Sequence, residues 1–336
     1  MKDRNNMMPA IYGTIGPRCA DTETLCAMLD AGLSGMRLNL SHISLHDAAG
    51  EIESLHRAAA KCGVRMQLLI DMQGPELRIG PLSRPLSLAV GEEVTLGEGG
   101  IPVPPMVLPC LTPGQEVLLD DGKLRLSVIE GRKNGARARV LRGGSLTGRK
   151  SIALPGSSLH PPTLTEMDRE NIALAPAYGV TGLMQPFVRD RADLETVRAA
   201  LDAAGGREMR LFAKIENREG VENLGTLIPA CDEIVIARGD LGNAMPLWEL
   251  PRVQKQIAAQ CRAAGRAFMV VTQMLYSMEH SAVPTRAEVS DIFNAVCDGA
   301  ASVMVTGETA VGDYPVEAIR YLANTAREAE AYLRNL

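Results

Sequence analysis

Eight times along this chain a short, mostly apolar run gives way to a stretch with helical spacing, and seven of the eight runs end in polar residues. The runs lie at 10–16, 35–40, 67–72, 182–187, 210–215, 233–238, 267–272 and 302–306. Consecutive apolar residues suit a parallel strand buried on both faces. The intervening stretches, among them 21–31, 45–62, 164–177, 247–264, 286–297 and 315–335, carry the 3.6-residue periodicity of amphipathic helices. Eight strand–helix repeats predict a closed (β/α)8 TIM barrel rather than an open sheet. Such a barrel takes about 250 residues. A chain of 336 leaves room for an insertion.

The rhythm breaks once. Between 77 and 150 the apolar residues alternate in short segments (93–96, 115–119, 124–130, 136–142) separated by Gly- and Pro-rich turns. This spacing predicts a small antiparallel β-domain inserted after the third strand. Residues 1–76 and 151–336 then form the barrel.

Composition excludes several function classes. The net charge of −5 gives no general electrostatic case for nucleic acid or an acidic membrane. Seven cysteines never fall in a C-x-x-C spacing, which argues for reduced thiols rather than a disulfide framework or zinc site. The first six residues are polar and no apolar run of 18 follows, so a soluble cytoplasmic protein is expected.

In a barrel of this kind, catalytic groups sit at the C-terminal strand ends and the loops behind them. Here those ends carry Thr14, then Arg37, Asn39, Ser41 and His42, then Asp71 through Arg78. Further along come Lys214 and Glu216, Arg238-Gly-Asp240, Thr272, and Thr306-Gly-Glu308. Each alone has a bland reading: a strand-end Asp is often a helix cap, and a Lys near a Glu is often a surface ion pair. Convergence at one barrel mouth is what favours a site. Glu216 and Asp240 are hard oxygen ligands suited to Mg²⁺ or Mn²⁺. Lys214, Arg37 and Arg78 supply charge that can neutralise a phosphoryl group or an enolate. Asn39, Ser41 and Asp71 offer oxygens for a second, weakly bound cation. The Thr272 hydroxyl suits a proton relay. Neither a Walker A loop nor G-x-G-x-x-G occurs.

These segments resemble the successive signatures of the pyruvate kinase family. They are Gly13-Thr-Ile-Gly-Pro17, Met36-Arg-Leu-Asn-Leu-Ser-His42, Asp71-Met-Gln-Gly-Pro-Glu-Leu-Arg78, Lys214-Ile-Glu-Asn217, Ala237-Arg-Gly-Asp-Leu-Gly242, Thr272-Gln-Met-Leu275, Pro284-Thr-Arg-Ala-Glu288 and Gly307-Glu-Thr309. The resemblance runs from about residue 10 to 330. It implies a barrel with a mobile β-domain lid, and phosphoryl transfer between phosphoenolpyruvate and ADP, the glycolytic reaction that yields pyruvate and ATP. It also assigns roles. Glu216 and Asp240 would bind the divalent ion, and Arg37 and Lys214 the transferring phosphoryl group. Asn39, Ser41, Asp71 and the Met72 carbonyl would bind K⁺, with Glu76 matching the potassium-dependent type. Gly239 and Asp240 would cradle the substrate carboxylate, and Thr272 would assist enolate protonation. Thr14, His42, Arg78 and Lys150 would face the nucleotide.

The chain also departs from the family pattern. Met72-Gln73 stands for the usual Thr-Lys, Val311 for a Lys, Thr306 for a Ser and Pro186 for a Ser. The inserted segment is short, and the sequence stops after the eighth helix, so no C-terminal regulatory domain is expected. A homo-oligomer stays open. The enolate and metal half of the site is intact and the nucleotide half is eroded. Alternatives are therefore another phosphoryl acceptor, a metal-dependent pyruvate-enolate aldolase or decarboxylase, and a phosphoenolpyruvate-binding regulatory pseudoenzyme.

Overall fold

A computed structural model describes residues 8–41, 43–157 and 159–335. The chain divides into two compact units, Met1–Gly74 with Thr163–Leu336, and Pro75–Pro162.

The first unit starts with β1 (Ala10–Thr14), α1 (Thr22–Asp30), β2 (Gly35–Asn39), α2 (Ala49–Cys62) and β3 (Gln67–Asp71). The second unit holds β4 (Leu86–Leu88), β5 (Glu93–Gly97), β6 (Glu116–Leu119), β7 (Leu124–Arg132), β8 (Gly135–Arg142), β9 (Gly144–Leu146) and β10 (Ile152–Ala153). The first unit then resumes with α3 (Glu166–Leu174), β11 (Gly182–Gln185), α4 (Arg191–Ala203), β12 (Arg210–Ile215), α5 (Arg218–Glu222) and α6 (Leu224–Leu227). It ends with β13 (Glu233–Ala237), α7 (Arg238–Ala244), α8 (Leu250–Ala263), β14 (Ala267–Val271), α9 (Arg286–Cys297), β15 (Ser302–Met304), α10 (Gly307–Ala310) and α11 (Pro315–Arg334).

The strands of the first unit close as β1-β15-β14-β13-β12-β11-β3-β2, with every neighbouring pair parallel. The (β/α)8 expectation holds. Because side chains alternate along each strand, one set fills the interior and the other meets the helices. Tyr12, Leu69, Met184, Phe212, Val235, Met269 and Met304 form the interior cluster. Their neighbours Ile11, Leu68, Leu183, Leu211, Ile234, Phe268 and Val303 pack outward in the larger cluster.

Helix starts follow local chemistry. Asp21 caps α1 by accepting from the Glu23 and Thr24 amides, and capping boxes open α3 (Thr165 with Asp168) and α9 (Thr285 with Glu288). Gly63, at φ 67°, closes α2 in the left-handed conformation that only glycine adopts without strain.

Seven of the eight apolar runs stop one or two residues short of their expected ends. Those at 182–187 and 267–272 leave the sheet at Gln185 and Val271, because Phe187 and Thr272 take left-handed backbone at φ 52° and 81°. The segment from Arg238 to Ala244, read as a strand end and loop, is helical.

The second unit is a five-stranded antiparallel sheet, β10-β6-β7-β8-β5, with a β4-β9 ribbon. Its own core includes Leu96, Val117, Leu119, Leu126, Val128 and Val140. It extends to 162 rather than to 150, since β10 pairs with β6 through Ile152 and Leu119. Among the described residues no helix is long and apolar enough to cross a membrane.

Candidate active site

Adjacent parallel strands bring the polar strand ends of the barrel together. Thr14 on β1 stands beside Arg37 on β2, and Asn39 on β2 stands beside Asp71 on β3. Arg37 reaches both ways. Its Nη1 donates to Thr14 Oγ1 at 3.3 Å, while Nε and Nη2 meet Asp71 Oδ2 at 2.8 and 2.6 Å. Lys214, from β12, places its Nζ 3.2 and 3.0 Å from the two Asp71 oxygens and 3.0 Å from Glu216 Oε1. The other Glu216 oxygen accepts from the Phe187 amide at 2.8 Å. Thr14, Arg37, Asp71, Lys214 and Glu216 thus form one continuous chain of contacts.

The electrostatics follow from burial. Asp71 is 2% exposed, and burial opposes its ionisation, yet the charges of Lys214 and Arg37 outweigh that and hold its carboxyl below the usual range. Burial likewise pulls against the Lys214 ammonium, but Asp71 and Glu216 more than reverse it and raise its pKa. Lys214 is therefore a lasting cation and cannot act as a base at neutral pH. Glu216 goes the other way. Burial pushes it up to about 7, with Lys214 pulling it down and Asp240 and Asp71 pushing it further up. Two cations, Arg37 and Lys214, face three carboxylates: Asp71, Glu216 and Asp240. Asp240 is close enough for its charge to raise the Glu216 pKa, and carboxylate oxygens are the hard donors that a divalent cation takes. The donor set therefore fits Mg²⁺ or Mn²⁺.

The residues read as a potassium site lie on neighbouring strands. Asn39 Oδ1 accepts from the Ser41 amide at 3.2 Å, and Met72 is buried with its amide on the Met184 carbonyl. All four donors are oxygens, as K⁺ requires. The Asp71 carboxylate is already engaged by Lys214 and Arg37, so Asn39, Ser41 and the Met72 carbonyl have the freer oxygens.

Gly239 and Thr272 come together just past the ends of β13 and β14. A Cβ on Gly239 would lie 3.1 Å from Thr272 Cγ2, so the glycine lets the two loops touch. Thr272 is strained: φ 81° is costly for a β-branched residue, and such outliers gather at functional sites. The Arg238 side chain holds it there, with Nη2 and Nε on the Thr272 carbonyl at 2.7 and 3.2 Å and Nη1 on Asp291 Oδ2 at 2.6 Å. Sequence reasoning used only the Arg238 backbone and missed this role. It named Glu308 at the eighth strand end but gave it no role; the residue, 1% exposed, accepts from the Leu275 and Thr306 amides and ties the loops after β14 and β15. An acid just past the eighth apolar run was the available signal.

Of the residues expected to face a nucleotide, Thr14 lies in the barrel chain of contacts. Arg78 and Lys150 belong to the second unit. There Arg78 pairs with Glu76 at 2.5 Å and bonds the Arg149 carbonyl, and Lys150 pairs with buried Asp120 at 2.8 Å. The left-handed Asp120, Asp121 and Arg149 (φ 49°, 55° and 62°) bracket that pair. His42 falls outside the described residues.

Comparison with known proteins agrees with this geometry. A family model described as pyruvate kinase, barrel domain, matches residues 7–319. The chain is 34% identical to a pyruvate kinase of Bacillus licheniformis over 97% of its own length and 57% of that protein's. It is 36% identical to a pyruvate kinase of Chlamydia pneumoniae (96% of this chain, 69% of that one) and 38% to one of Aeropyrum pernix (95% and 70%). The chain thus spans a little over half the length of the first of these relatives.

Proposed function

Because the chain belongs to the pyruvate kinase family, we propose that it transfers the phosphoryl group of phosphoenolpyruvate to ADP and protonates the resulting enolate to pyruvate. The observation that carries this reading is the Arg37–Asp71–Lys214–Glu216 chain, in which two cations are held in place by buried carboxylates at the ends of three barrel strands.

Phosphoryl transfer needs little covalent help from a protein and much placed charge. Lys214 and Arg37 provide it, and Asp71 holds both side chains so that little reorganisation remains at the moment of transfer. Glu216 and Asp240 would hold the divalent ion, which when bound neutralises phosphoryl and carboxylate oxygens. Asn39, Ser41, Asp71 and the Met72 carbonyl would hold K⁺. The substrate carboxylate would lie against Gly239 and Asp240. Once the P–O bond to the enol oxygen breaks, C3 of the enolate takes a proton through the Thr272 hydroxyl and water. Thr14, Arg78, Lys150 and His42 would meet the nucleotide, with the inserted unit acting as a lid domain. The reaction would run in the cytoplasm.

The test is pyruvate formation from phosphoenolpyruvate and ADP with Mg²⁺ and K⁺, wild type against Lys214→Met. Turnover in the wild type that the substitution abolishes supports the reading. A folded wild type without turnover overturns ADP as acceptor and moves the search to other acceptors and to carbon–carbon chemistry on pyruvate enolate.

A further inference from the structure

The chain crosses between its two units at Gly74–Pro75 and again at Pro162–Thr163. On the barrel side, a buried carboxylate holds each crossing. Asp168, with no exposed surface, accepts from the Gln73 amide through Oδ1 at 3.0 Å and from the Gly74 amide through Oδ2 at 3.0 Å. Its Oδ2 also accepts from the Thr165 amide at 2.8 Å, completing the α3 capping box. At the other crossing, the Thr163 hydroxyl donates to Asp193 Oδ1 at 2.5 Å. Asp193 is 4% exposed and is itself fixed by the Arg189 guanidinium and amide.

The two crossings also meet the same element. Gln185, the last residue of β11, donates from Nε2 to the Thr163 carbonyl at 3.1 Å. Gly74 sits beside it at φ 60°, where an added Cβ would lie 2.5 Å from Pro186 Cγ and 3.1 Å from Gln185 Nε2. Pro186 is one of the positions where this chain departs from its family's pattern, and its ring fills the space next to Gly74. One residue further, the Phe187 amide bonds Glu216.

A helix cap needs only the exchange between Thr165 and Asp168. The further bonds to Gln73 and Gly74 serve the crossing, and charge-assisted bonds from three amides to one carboxylate are strong. We propose that Asp168, Gln185 and Asp193 form a clamp that fixes both crossings on the barrel, and that Asp168 is a positioning residue for the reaction proposed above. The clamp fixes the barrel-side ends of both crossings at the β11 end, whose next residues orient Glu216. Hinges of this kind concentrate motion in few residues and alter KM and kcat together when disturbed. The positioning role rests on the phosphoryl-transfer reading, whereas the clamp does not.

Hydrogen exchange on the full chain tests the clamp without needing turnover. Asp168→Asn presents an amide to backbone N–H donors. Exchange at Gln73 and Gly74 should quicken about tenfold, as the loss of one such hydrogen bond gives, while peptides from β7, β8 and β13 keep wild-type rates. Thr163→Val, a milder change, should do the same for the peptide ending at Thr163. A uniform rise throughout the chain, or unchanged exchange at the crossings in both variants, overturns the clamp. In the pyruvate assay, Asp168→Asn should raise KM for ADP several-fold and lower kcat. Local exchange changes with wild-type KM and kcat overturn the positioning role. Local exchange changes in a chain that makes no pyruvate overturn the proposed reaction and leave the clamp supported.

Discussion

At the floor of the barrel, where β3, β12, β13 and β15 begin, Arg210 pairs with Glu233 at 2.6 Å and lies 4.7 Å over the Phe212 ring. Ser302 donates to the same buried Glu233, and the Tyr12 hydroxyl bonds Gln67 Oε1 at 2.5 Å. At the mouth, Arg37, Lys214, Asp71, Glu216 and Asp240 are assembled from the same residue types. The floor matches one cation to one anion and fills the remaining acceptors with hydroxyl donors. At the mouth each group is shared: Asp71 serves both Arg37 and Lys214, and Lys214 serves both Asp71 and Glu216. Of two polar networks in one barrel, the floor pairs its buried acid with one cation, while the mouth crowds carboxylates closely enough that burial and its neighbours raise Glu216. Residues at the bottom of such barrels serve stability and those at the top serve chemistry.

The largest expected effect tests that division directly. Lys214→Met removes one of two cations from the mouth, and pyruvate formation should fall by at least about 10²- to 10³-fold, the usual loss for one preorganised charge donor. Thermal unfolding should shift less than for a floor variant. The floor counterpart is Glu233→Ala, which strands Arg210 and the Ser302 hydroxyl. Because Arg210 is partly open to water, the cost should be roughly 2 kcal/mol of stability rather than the larger loss of a fully enclosed pair. Its KM values should match the wild type, measured at a temperature where both are folded. A floor variant that loses turnover while folded would break the comparison.

A third expectation concerns pH, and the sign follows from Glu216. Its folded-state pKa is raised, to about 7, by burial and by its carboxylate neighbours. An acid raised on folding contributes stability that is present below its unfolded pKa and is lost as pH rises through the folded value. Without divalent ions, the wild type should therefore lose stability between about pH 4.5 and 7, at up to about 1.4 kcal/mol per pH unit. Glu216→Gln should flatten that slope. Added Mg²⁺ should raise the unfolding temperature most at the upper end of this range in the wild type and hardly at all in the variant. Thermal scans from pH 5 to 8, with and without Mg²⁺, read both effects. A wild-type slope that Glu216→Gln leaves intact would assign the titration to another group.

Much of the mouth was legible because a polar residue that ends an apolar strand run has few reasons to be there. Lys214, Glu216 and Arg37 stand out in this way. What Asp71 does was not legible. It read as an oxygen donor for a weak cation, and only the distances across β2, β3 and β12 reveal it as the shared counter-ion of Arg37 and Lys214. The floor was illegible for a related reason: Glu233, Ser302 and Gln67 stand at strand starts, where a polar residue is ordinary. Left-handed backbone at Phe187 and Thr272 leaves no trace in residue type either, since neither is a glycine.

Thr272 offers the smallest effect and the finest test of where the mouth ends. Its strained backbone is held by two bonds from Arg238 to its carbonyl, and Arg238 is in turn held by Asp291. Asp291 is partly exposed, so its pair with Arg238 is screened and the Thr272 bonds should survive its loss. Asp291→Asn should then cost about 0.5–1 kcal/mol of positioning, a two- to fivefold drop in kcat, with KM for phosphoenolpyruvate unchanged. An unchanged KM matters because Thr272 is assigned to enolate protonation after transfer, and loosening it should leave substrate binding alone. A rise in KM instead would mean that Arg238 supports the carboxylate cradle at Gly239 and Asp240 more than it supports Thr272. A loss beyond about 10²-fold would put Arg238 among the groups that touch substrate and move the edge of the mouth outward to α7 and α9.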